Sequence, residues 1–470
     1  MTMITSGSVP HSFSHAFCDT LDSFFYVYIP TSDKGLAVLN KEAAFVYGLI
    51  DGKQDVQELT NHAKKEDSEI TVEDIIRILE QFIISGIMYI GENPVKNSFI
   101  PKQSKTLGVW FHITNQCNLR CTYCYVHKTP AKMDAKLAHH AVDVIIRDAK
   151  KHGYTNITFK FSGGECLLEF PLVLELIHHG REKAKEAGIT MKFVVLTNGV
   201  LLTEEIAKTL KKENIHVAVS LDGLAKYHDK QRIFANRKGS FAYVEKGIQN
   251  LQKYGVVFNV LITITSNNVE HIPDLTEWLL DQNIPFAFNF YRENSRVTEK
   301  LEGDDKKLVA SLKKAYAHIL ARPPRRTIMN SLLDRVLLTR PHIWTCGMGR
   351  DYLIIRHDGK LASCPMTIDT QIGSIEDVDI IETMLRGNFI RPVDATVESR
   401  KPCRNCQWNY VCCGGCPLLS FSQKGTYDTN SPYCHVYKEL IPEVLKIEAK
   451  RLITYGFSKK TQEDLPSQLL

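Results

Sequence analysis

Residues 107–320 alternate strand-like and helix-like segments six times, and this alternation limits the possible folds more than any other feature. The strand-like runs include "VWFHIT", "NITFKFSGG", "MKFVVLTNG" and "FNVLITIT", and helical stretches such as "KLAHHAVDVIIRDAKKHG" separate them. Repeated strand-then-helix units predict a parallel sheet, either open or curved into part of a barrel. The expected fold class is therefore α/β.

Polar or glycine-rich motifs follow four of these strands directly. A loop with three cysteines follows the first strand, and "SGGE" (162–165), "TNG" and "SLDG" follow the next three. In barrel folds of this kind the active site lies at the carboxyl ends of the strands. The sequence therefore predicts that all four motifs meet at one rim.

The loop "CNLRCTYC" places Cys117, Cys121 and Cys124 within eight residues. The start "MTMITSGSVPHSFSHAF" lacks the basic and apolar regions of a signal peptide. We therefore expect a cytoplasmic protein, in which clustered cysteines indicate metal binding or catalysis rather than disulfides. Three thiolates can hold a four-iron cluster and leave one iron open. A closed zinc site would need a fourth ligand, for which His127 is the nearby candidate.

The first hundred residues predict a small separate domain. "FFYVYI" (24–29) and "GLAVLN" (35–40) form a hairpin signal, and three helices and a closing strand "IMYIG" follow. Thr71 and Asp74 predict a capping box at the third helix. We interpret "MTMITSGSVP" as an expression leader, and 92–105 as a polar linker. The domain is either a packing module or a module whose strand edge captures an extended peptide.

A second group of cysteines lies in the last third of the chain. Cys346 is followed by Gly359 and Cys364, and a later run contains Cys403, Cys406, Cys412, Cys416 and Cys434. A final helix follows, and residues 451–470 are expected to be a polar tail. The net charge of +5 comes with no long basic run, and no stretch of eighteen apolar residues occurs. We therefore expect neither nucleic-acid binding nor a membrane span.

The first cysteine loop, together with "SGGE" and "SLDG", resembles the radical S-adenosylmethionine (SAM) superfamily. The resemblance implies a partial (β/α)6 TIM barrel over 105–325, with a [4Fe-4S] cluster on Cys117, Cys121 and Cys124 and SAM on the open iron. Gly163, Gly164 and Glu165 would hold the methionyl amino group, Tyr123 would lie near the adenine, and Ser220 and Arg232 would contact the ribose and carboxylate. Bound SAM would supply a 5′-deoxyadenosyl radical that abstracts hydrogen from the substrate.

The second cysteine group resembles the SPASM extension, here 326–450, which implies two auxiliary [4Fe-4S] clusters. One would be held by Cys403, Cys406, Cys412 and Cys434, and the other by Cys346, Cys364 and Cys416. The segment "LTRPHIW" lacks the further cysteine found in some relatives. The fourth ligand of the second cluster is therefore a substrate thiolate, a non-cysteine ligand or water. Cys413, Cys166 and Cys18 are expected to be small buried residues.

Residues 1–100 resemble a winged-helix-like RiPP recognition element, which implies a precursor peptide bound through its leader. Sulfatase maturases carry an aspartate where this chain has Pro365, which disfavours that activity. We expect a peptide maturase of oxidoreductase type that forms a thioether, with electrons from a flavodoxin- or ferredoxin-type donor. The alternatives are a carbon–carbon or other side-chain crosslink, backbone excision, epimerisation, sulfatase maturation, and an iron–sulfur electron carrier without SAM chemistry.

Overall fold

The computed structural model describes residues 3–93, 104–294, 296–297, 301–386 and 396–456. Its first part contains strands β1 (Pro10–Ser12), β2 (Phe17–Leu21), β3 (Phe24–Tyr28), β4 (Leu36–Leu39) and β5 (Met88–Ile90), and helices α1 (Lys41–Gly48), α2 (Val56–Ala63) and α3 (Val72–Ile84). Strands β2, β3 and β4 form an antiparallel sheet, and β5 pairs with β1. The predicted hairpin and the capping box of Thr71 and Asp74 are both confirmed.

One expectation about this part is wrong. Residues 3–10 belong to the fold rather than to a leader, because Ile4 is buried and the N–H groups of Val56 and Gln57 donate to the Ser8 and Ser6 carbonyls at 3.0 Å. Strand β2 was not predicted, since its middle residues are polar and exposed. Most of the predicted linker, 94–103, lies outside the described residues.

The central part is a parallel sheet of six strands, and it confirms the predicted partial barrel. The strands are β6 (Thr106–Thr114), β7 (Asn156–Gly163), β8 (Thr190–Thr197), β9 (His216–Ser220), β10 (Phe258–Ile264) and β11 (Phe286–Phe290), each paired in parallel with the next. The helices are α4 (Ala135–Lys151), α5 (Phe170–Ala187), α6 (Glu204–Lys212), α7 (Lys226–Asp229), α8 (Phe241–Lys253), α9 (Ile272–Asp281) and α10 (Asp305–Ala321).

The two faces of these strands differ in character. Phe159 and Phe161 of β7 belong to the large apolar core, and Phe159 packs against Gly180 of α5. Because successive side chains point to opposite faces of a strand, Lys160 and Ser162 face the barrel interior. The partial barrel therefore has an apolar exterior under the helices and a partly polar interior.

The last part extends the barrel sheet. It contains β12 (Tyr352–Ile355), β13 (Lys360–Ala362), β14 (Gly373–Ser374), α11 (Ile380–Arg386), α12 (Asn409–Cys412), α13 (Pro417–Lys424) and α14 (Cys434–Tyr455). Strand β12 pairs in parallel with β6, and β13 and β14 follow antiparallel. Residues 451–455 continue α14 rather than forming a tail, since buried Arg451 donates to Glu448 at 2.6 Å. Residues 457–470 lie outside the described part.

The amino-terminal sheet packs on the last part of the chain. The Trp408 ring lies 5.4 Å from that of Phe17 and 6.4 Å from that of Tyr28, measured between centres. The Tyr28 hydroxyl donates to the Leu338 carbonyl at 3.0 Å. Through the residues that the structure describes, no helix is long and apolar enough to cross a membrane.

Candidate active site at the barrel rim

The predicted cysteine loop follows β6 and lies at the rim. The Leu119 N–H approaches the Cys117 Sγ at 3.4 Å, the Asn198 amide reaches the same sulfur at 3.8 Å, and the Arg232 guanidinium reaches the Cys121 Sγ at 4.0 Å. Donors aimed at sulfur suit thiolates that bind an iron–sulfur cluster. His127, the alternative zinc ligand, is exposed. Across the described ranges, no group of three or more His, Cys, Asp or Glu residues has the arrangement that holds one metal ion.

The glycine pair after β7 brings two backbones into direct contact. The Gly164 N–H donates to the Thr114 carbonyl at 2.6 Å, and a Cβ on Gly164 would clash with the Gln116 carbonyl. Gly163 has φ of +151°, and a Cβ there would clash with Thr114. Only glycine fits this close approach. The pair therefore positions the start of the cysteine loop.

Glu165 is a buried carboxylate fixed between β7 and β8. It accepts hydrogen bonds from the Thr197 hydroxyl at 2.8 Å, the Asn198 N–H at 2.7 Å and the Leu167 N–H at 3.1 Å. Burial raises the pKa of Glu165, although these hydrogen bonds oppose the shift. Three donors occupy most of the roughly four acceptor positions of a carboxylate. One position remains for a ligand at the rim.

Asp222 joins several predicted site residues and was itself missed. It accepts hydrogen bonds from the Tyr123 hydroxyl at 2.6 Å, the Arg232 Nε at 2.6 Å and the Thr263 N–H at 2.8 Å. The guanidinium of Arg232 also lies 5.3 Å from the centre of the Tyr123 ring. Ser220, at the end of β9, is half-buried and lies two residues before this carboxylate. The "SLDG" motif indicated a functional loop at this position, but the sequence did not show that Asp222 is the residue in it that binds the other side chains.

Four of the later cysteines line one cavity that opens to solvent. These are the predicted ligands Cys403, Cys406, Cys412 and Cys434, and Trp408, Tyr437 and Lys438 share the wall. Arg400 is 1% exposed beside Gly414 and Cys403, and its Nε and Nη1 have no hydrogen-bond partner. A buried guanidinium with orphan donors needs an anion. The cavity therefore fits an anionic iron–sulfur cluster.

The remaining three predicted ligands lie beside two guanidiniums. The Met366 N–H donates to Cys364 and the Leu419 N–H donates to Cys416. The Arg292 guanidinium donates to Cys416 and also to Asp334 at 2.5 Å. Burial would raise the pKa of the Cys416 thiol, but the Arg292 and Arg335 guanidiniums lower it overall. The guanidiniums therefore favour a thiolate at Cys416, whereas burial raises the pKa of the Cys364 thiol.

Aromatic side chains connect the two three-cysteine sites. Tyr125 interacts with both Cys124 at the rim and Cys364, and burial, with these thiols, raises its pKa. Tyr125, Tyr352 and Trp110 pack around the buried side chains of Ile354, Ala362 and Ile368. The second site therefore borders the barrel interior.

The three remaining cysteines differ from one another. The Cys413 thiol donates to the His342 carbonyl at 2.9 Å, and the Cys166 thiol donates to the Leu196 carbonyl at 3.3 Å. Both are buried, as expected. Cys18 is exposed on β2, so its predicted burial is wrong. Its neighbours Asp19 and Thr20 on β2 are exposed as well, so both faces of the strand are open to solvent at this point.

Comparison with known proteins identifies the central domain. The family model of the Radical SAM superfamily matches residues 111–279. The chain contains a radical SAM domain. The chain is 24% identical over 344 residues to the cysteine-type anaerobic sulfatase-maturating enzyme of Clostridium perfringens, covering 69% of this chain and 92% of that protein. It is 27% identical over 272 residues to the antilisterial bacteriocin subtilosin biosynthesis protein AlbA of Bacillus subtilis, covering 55% of each.

The fold agrees with these relationships. The solved structure of anSMEcpe with bound AdoMet and Cp18Cys peptide superposes with a TM-score of 0.63 at 22% identity, over 74% of this chain and 99% of that chain. The radical SAM domain and the curated relatives identify the chain as an enzyme with homologues among the SPASM-type maturases. The Radical SAM superfamily, whose model matches residues 111–279, implies SAM and a [4Fe-4S] cluster. The sulfur-directed donors and the remaining acceptor position on Glu165 fit both groups.

Proposed function

We propose that this radical SAM enzyme matures a ribosomally made precursor peptide by joining a cysteine sulfur to a residue carbon. The observation that carries the proposal is the site of Cys346, Cys364 and Cys416, which has three cysteines, faces the barrel interior and lies beside two guanidiniums. The relationship to a bacteriocin biosynthesis protein supports a peptide substrate.

The proposed cofactor residues follow the predicted sets. Cys117, Cys121 and Cys124 hold the cluster that binds SAM, and bound SAM supplies the hydrogen-abstracting radical. Glu165 accepts a hydrogen bond from the SAM ammonium, Arg232 pairs with its carboxylate, and Tyr123 packs near its adenine. Two auxiliary clusters occupy the cavity of Cys403, Cys406, Cys412 and Cys434 and the three-cysteine site.

The three-cysteine site determines the chemistry in this proposal. Pro365 follows Cys364 directly and begins a short 3-10 helix, so no carboxylate stands at that position. Arg292 and Arg335 stabilise a negative charge, which suits a substrate thiolate better than a substrate ammonium. In this proposal the thiolate borders the barrel interior, next to the aromatic side chains of Tyr125, Tyr352 and Trp110.

The amino-terminal sheet is proposed to bind the leader of the precursor. Its edge strand β2 exposes Cys18, Asp19 and Thr20. The Thr20 N–H donates to its neighbour Asp19 at 2.8 Å rather than to β3, so it becomes available to an added strand when the Asp19 carboxylate releases it. Because this sheet packs on Trp408 beside the four-cysteine cavity, leader binding occurs next to the catalytic body.

A two-substrate experiment tests the proposed bond. The full-length enzyme is co-produced anaerobically with the short cysteine-containing peptide encoded nearest its gene, or with a cysteine-to-alanine version of that peptide. We expect a product lighter by two hydrogens that resists thiol reduction, formed only from the cysteine peptide. Equal modification of both peptides would contradict the thioether and would favour another crosslink or excision.

Strand blocking tests leader capture. In the variant Thr20→Pro, proline removes a donor that faces outward and leaves the β2–β3 ladder intact. We expect the KM for the full precursor to rise on the order of tenfold, as loss of one or two backbone hydrogen bonds would give. A leaderless peptide provides the control and should be processed equally by both enzymes. An unchanged KM for the full precursor would exclude capture by β2.

The electron donor is proposed to be of flavodoxin or ferredoxin type. Such a partner would supply the low potential that an iron–sulfur cluster of this class requires, since these potentials extend to roughly −700 mV. Photoreduced flavodoxin should support SAM cleavage by the reconstituted enzyme. Support by a chemical reductant alone, with no activity from either protein donor, would argue against this partner.

A further inference from the structure

Lys160 is a charged side chain inside the barrel that the proposed cofactor sites do not use. It is only 8% exposed, lies in the middle of β7, and is in register with Trp110 of β6 and Val194 of β8. Its neighbours Phe159 and Phe161 belong to the apolar core under the helices. The amine therefore enters the interior, three residues below the glycine pair at the rim.

The surroundings of Lys160 connect it to the three-cysteine site. Its Nζ lies 6.0 Å from the centre of the Tyr352 ring, and the ring of Tyr352 crosses Gly108, whose added Cβ would be 3.1 Å from it. Tyr352 in turn interacts with Cys364, Tyr125 and Cys346. The Tyr352 ring thus neighbours both the amine and the thiols beside which the substrate sulfur is proposed to bind.

Oxidative crosslinking releases a proton that needs an acceptor. In the sulfatase maturases that this chain resembles, a carboxylate residue directly follows the cysteine that matches Cys364. In this chain that position is Pro365. Burial, assisted by Arg335, lowers the pKa of Lys160 to about 8. An amine in that range is partly neutral near physiological pH and can take a proton.

We propose that Lys160 is a catalytic residue, the proton acceptor for the substrate group that is oxidised. This inference rests on the proposed peptide crosslinking. In the thioether case the S–H bond breaks, its proton passes to Lys160 Nζ and the electron pair stays on sulfur. The partner carbon loses a hydrogen atom to the adenosyl group derived from SAM. The new S–C bond takes one electron from each atom, and the remaining electron passes to an iron–sulfur cluster as acceptor.

Substitutions that separate charge from proton transfer test the proposal. Lys160→Arg keeps the positive charge but is a poor proton acceptor, and Lys160→Met removes both properties. Lys192→Met is the matched control, because Lys192 lies on the same face of neighbouring β8, in register with Thr158, yet is exposed. The probe is the short peptide encoded nearest the gene, co-produced with the full-length enzyme, and product is measured by mass spectrometry.

We expect both Lys160 variants to lose on the order of 10²-fold or more in product formation while binding iron and SAM normally. Lys192→Met should retain activity within about twofold, as a surface substitution does. Lys160→Ala should recover activity when ethylamine is added, since a small amine can enter the vacated space.

Several outcomes would overturn this role. Product formation by Lys160→Arg near the wild-type level would show that charge alone suffices. Loss of iron from all Lys160 variants, with no rescue by ethylamine, would indicate a structural role. If the wild type modifies the peptide without using its cysteine, the thioether proposal is wrong, yet the Lys160 comparison still applies, because any oxidative crosslink releases a proton.

Discussion

The two three-cysteine sites of this enzyme differ in the balance of charge around them: Glu165 and the Asp222–Arg232 pair lie at the rim, whereas Arg335 and the Arg292–Asp334 pair lie at the second site. At the rim, Cys117, Cys121 and Cys124 come from one short loop, and the carboxylates of Glu165 and Asp222 lie close by. At the second site, Cys346, Cys364 and Cys416 come from three separate segments, beside Arg292 and Arg335. Carboxylates favour a ligand with an ammonium group, and guanidiniums favour an anion. The proposal of SAM at the first site and a substrate anion at the second rests on this contrast.

The supporting structure differs in the same way. The rim loop is positioned by a backbone contact between Gly164 and Thr114, so its shape is built into the barrel. The second site depends on side chains that cross between segments, including Arg292 after β11 and Tyr352 on β12. A change at the rim should therefore disturb SAM chemistry as a whole. A change at the second site should affect the peptide step selectively.

Removing the rim thiols should have the largest effect. The triple variant Cys117→Ala, Cys121→Ala, Cys124→Ala should lose SAM cleavage completely, because no other cysteine set lies beside Glu165. Iron content should fall from about twelve to about eight atoms per chain if each site holds a four-iron cluster. Anaerobic reconstitution, iron analysis and assay of 5′-deoxyadenosine check this. Continued formation of 5′-deoxyadenosine would show that the comparison assigns SAM to the wrong site.

Neutralising one guanidinium should have the next largest effect. Arg292→Gln should reduce peptide product on the order of tenfold or more, since a charged hydrogen bond contributes about 1.5–3 kcal/mol. It should also lower the midpoint potential of one auxiliary cluster, measured by redox titration with EPR detection. Arg296→Gln is the control, because Arg296 is an exposed residue whose partner Asp369 is exposed as well. Equal midpoint potentials of this cluster in Arg292→Gln and Arg296→Gln would contradict the proposed electrostatic difference between the two sites.

A smaller effect is expected from Gly164→Ala. The added Cβ meets the Gln116 carbonyl, so the cysteine loop must shift, at a cost of about 1–3 kcal/mol in the free energy of unfolding. SAM affinity should fall as the loop moves. Gly303→Ala is the control, since nothing lies within 4 Å of its added Cβ. Thermal unfolding measures the loss of stability, and SAM titration measures the loss of affinity. Identical results for Gly164→Ala and Gly303→Ala would contradict the proposal that the contact between Gly164 and the cysteine loop fixes the shape of the rim.

The sequence predicted the rim better than the second site for a physical reason. Strand periodicity and the short cysteine spacing are local, so they located β6, β7 and the loop with Cys117 directly. Asp222 was missed because its three donors come from separate segments, 10, 41 and 99 residues away along the chain. Arg292 and Lys160 were missed for the same reason. Nothing in their immediate neighbours shows that Arg292 reaches Cys416, or that Lys160 lies over Tyr352.

Element boundaries also show where local reasoning stops. The capping box of Thr71 and Asp74 was predicted because both partners lie within one turn. Strand β12 was not placed, because its parallel pairing with β6 joins residues that are more than 240 positions apart. The first ten residues were excluded on composition, yet the carbonyls of Ser6 and Ser8 pair with the start of α2.

The smallest effect is expected from Cys413→Ala, which tests whether a fourth cysteine completes the site of Cys346, Cys364 and Cys416. Cys413 is the nearest candidate in sequence, since it lies between Cys412 and Cys416 in a turn whose residues 413–415 all have positive φ. Its thiol, however, donates to the His342 carbonyl at 2.9 Å. Cys413→Ala should therefore keep the full iron content and EPR spectrum and lose only about 1 kcal/mol of stability. Cys412→Ala, its neighbour in the four-cysteine cavity, should lose iron. Iron loss in Cys413→Ala but not in Cys412→Ala would identify Cys413 as the fourth protein ligand of the second site. No coordination position would then remain for a substrate thiolate, and the two sites would no longer differ in the way proposed.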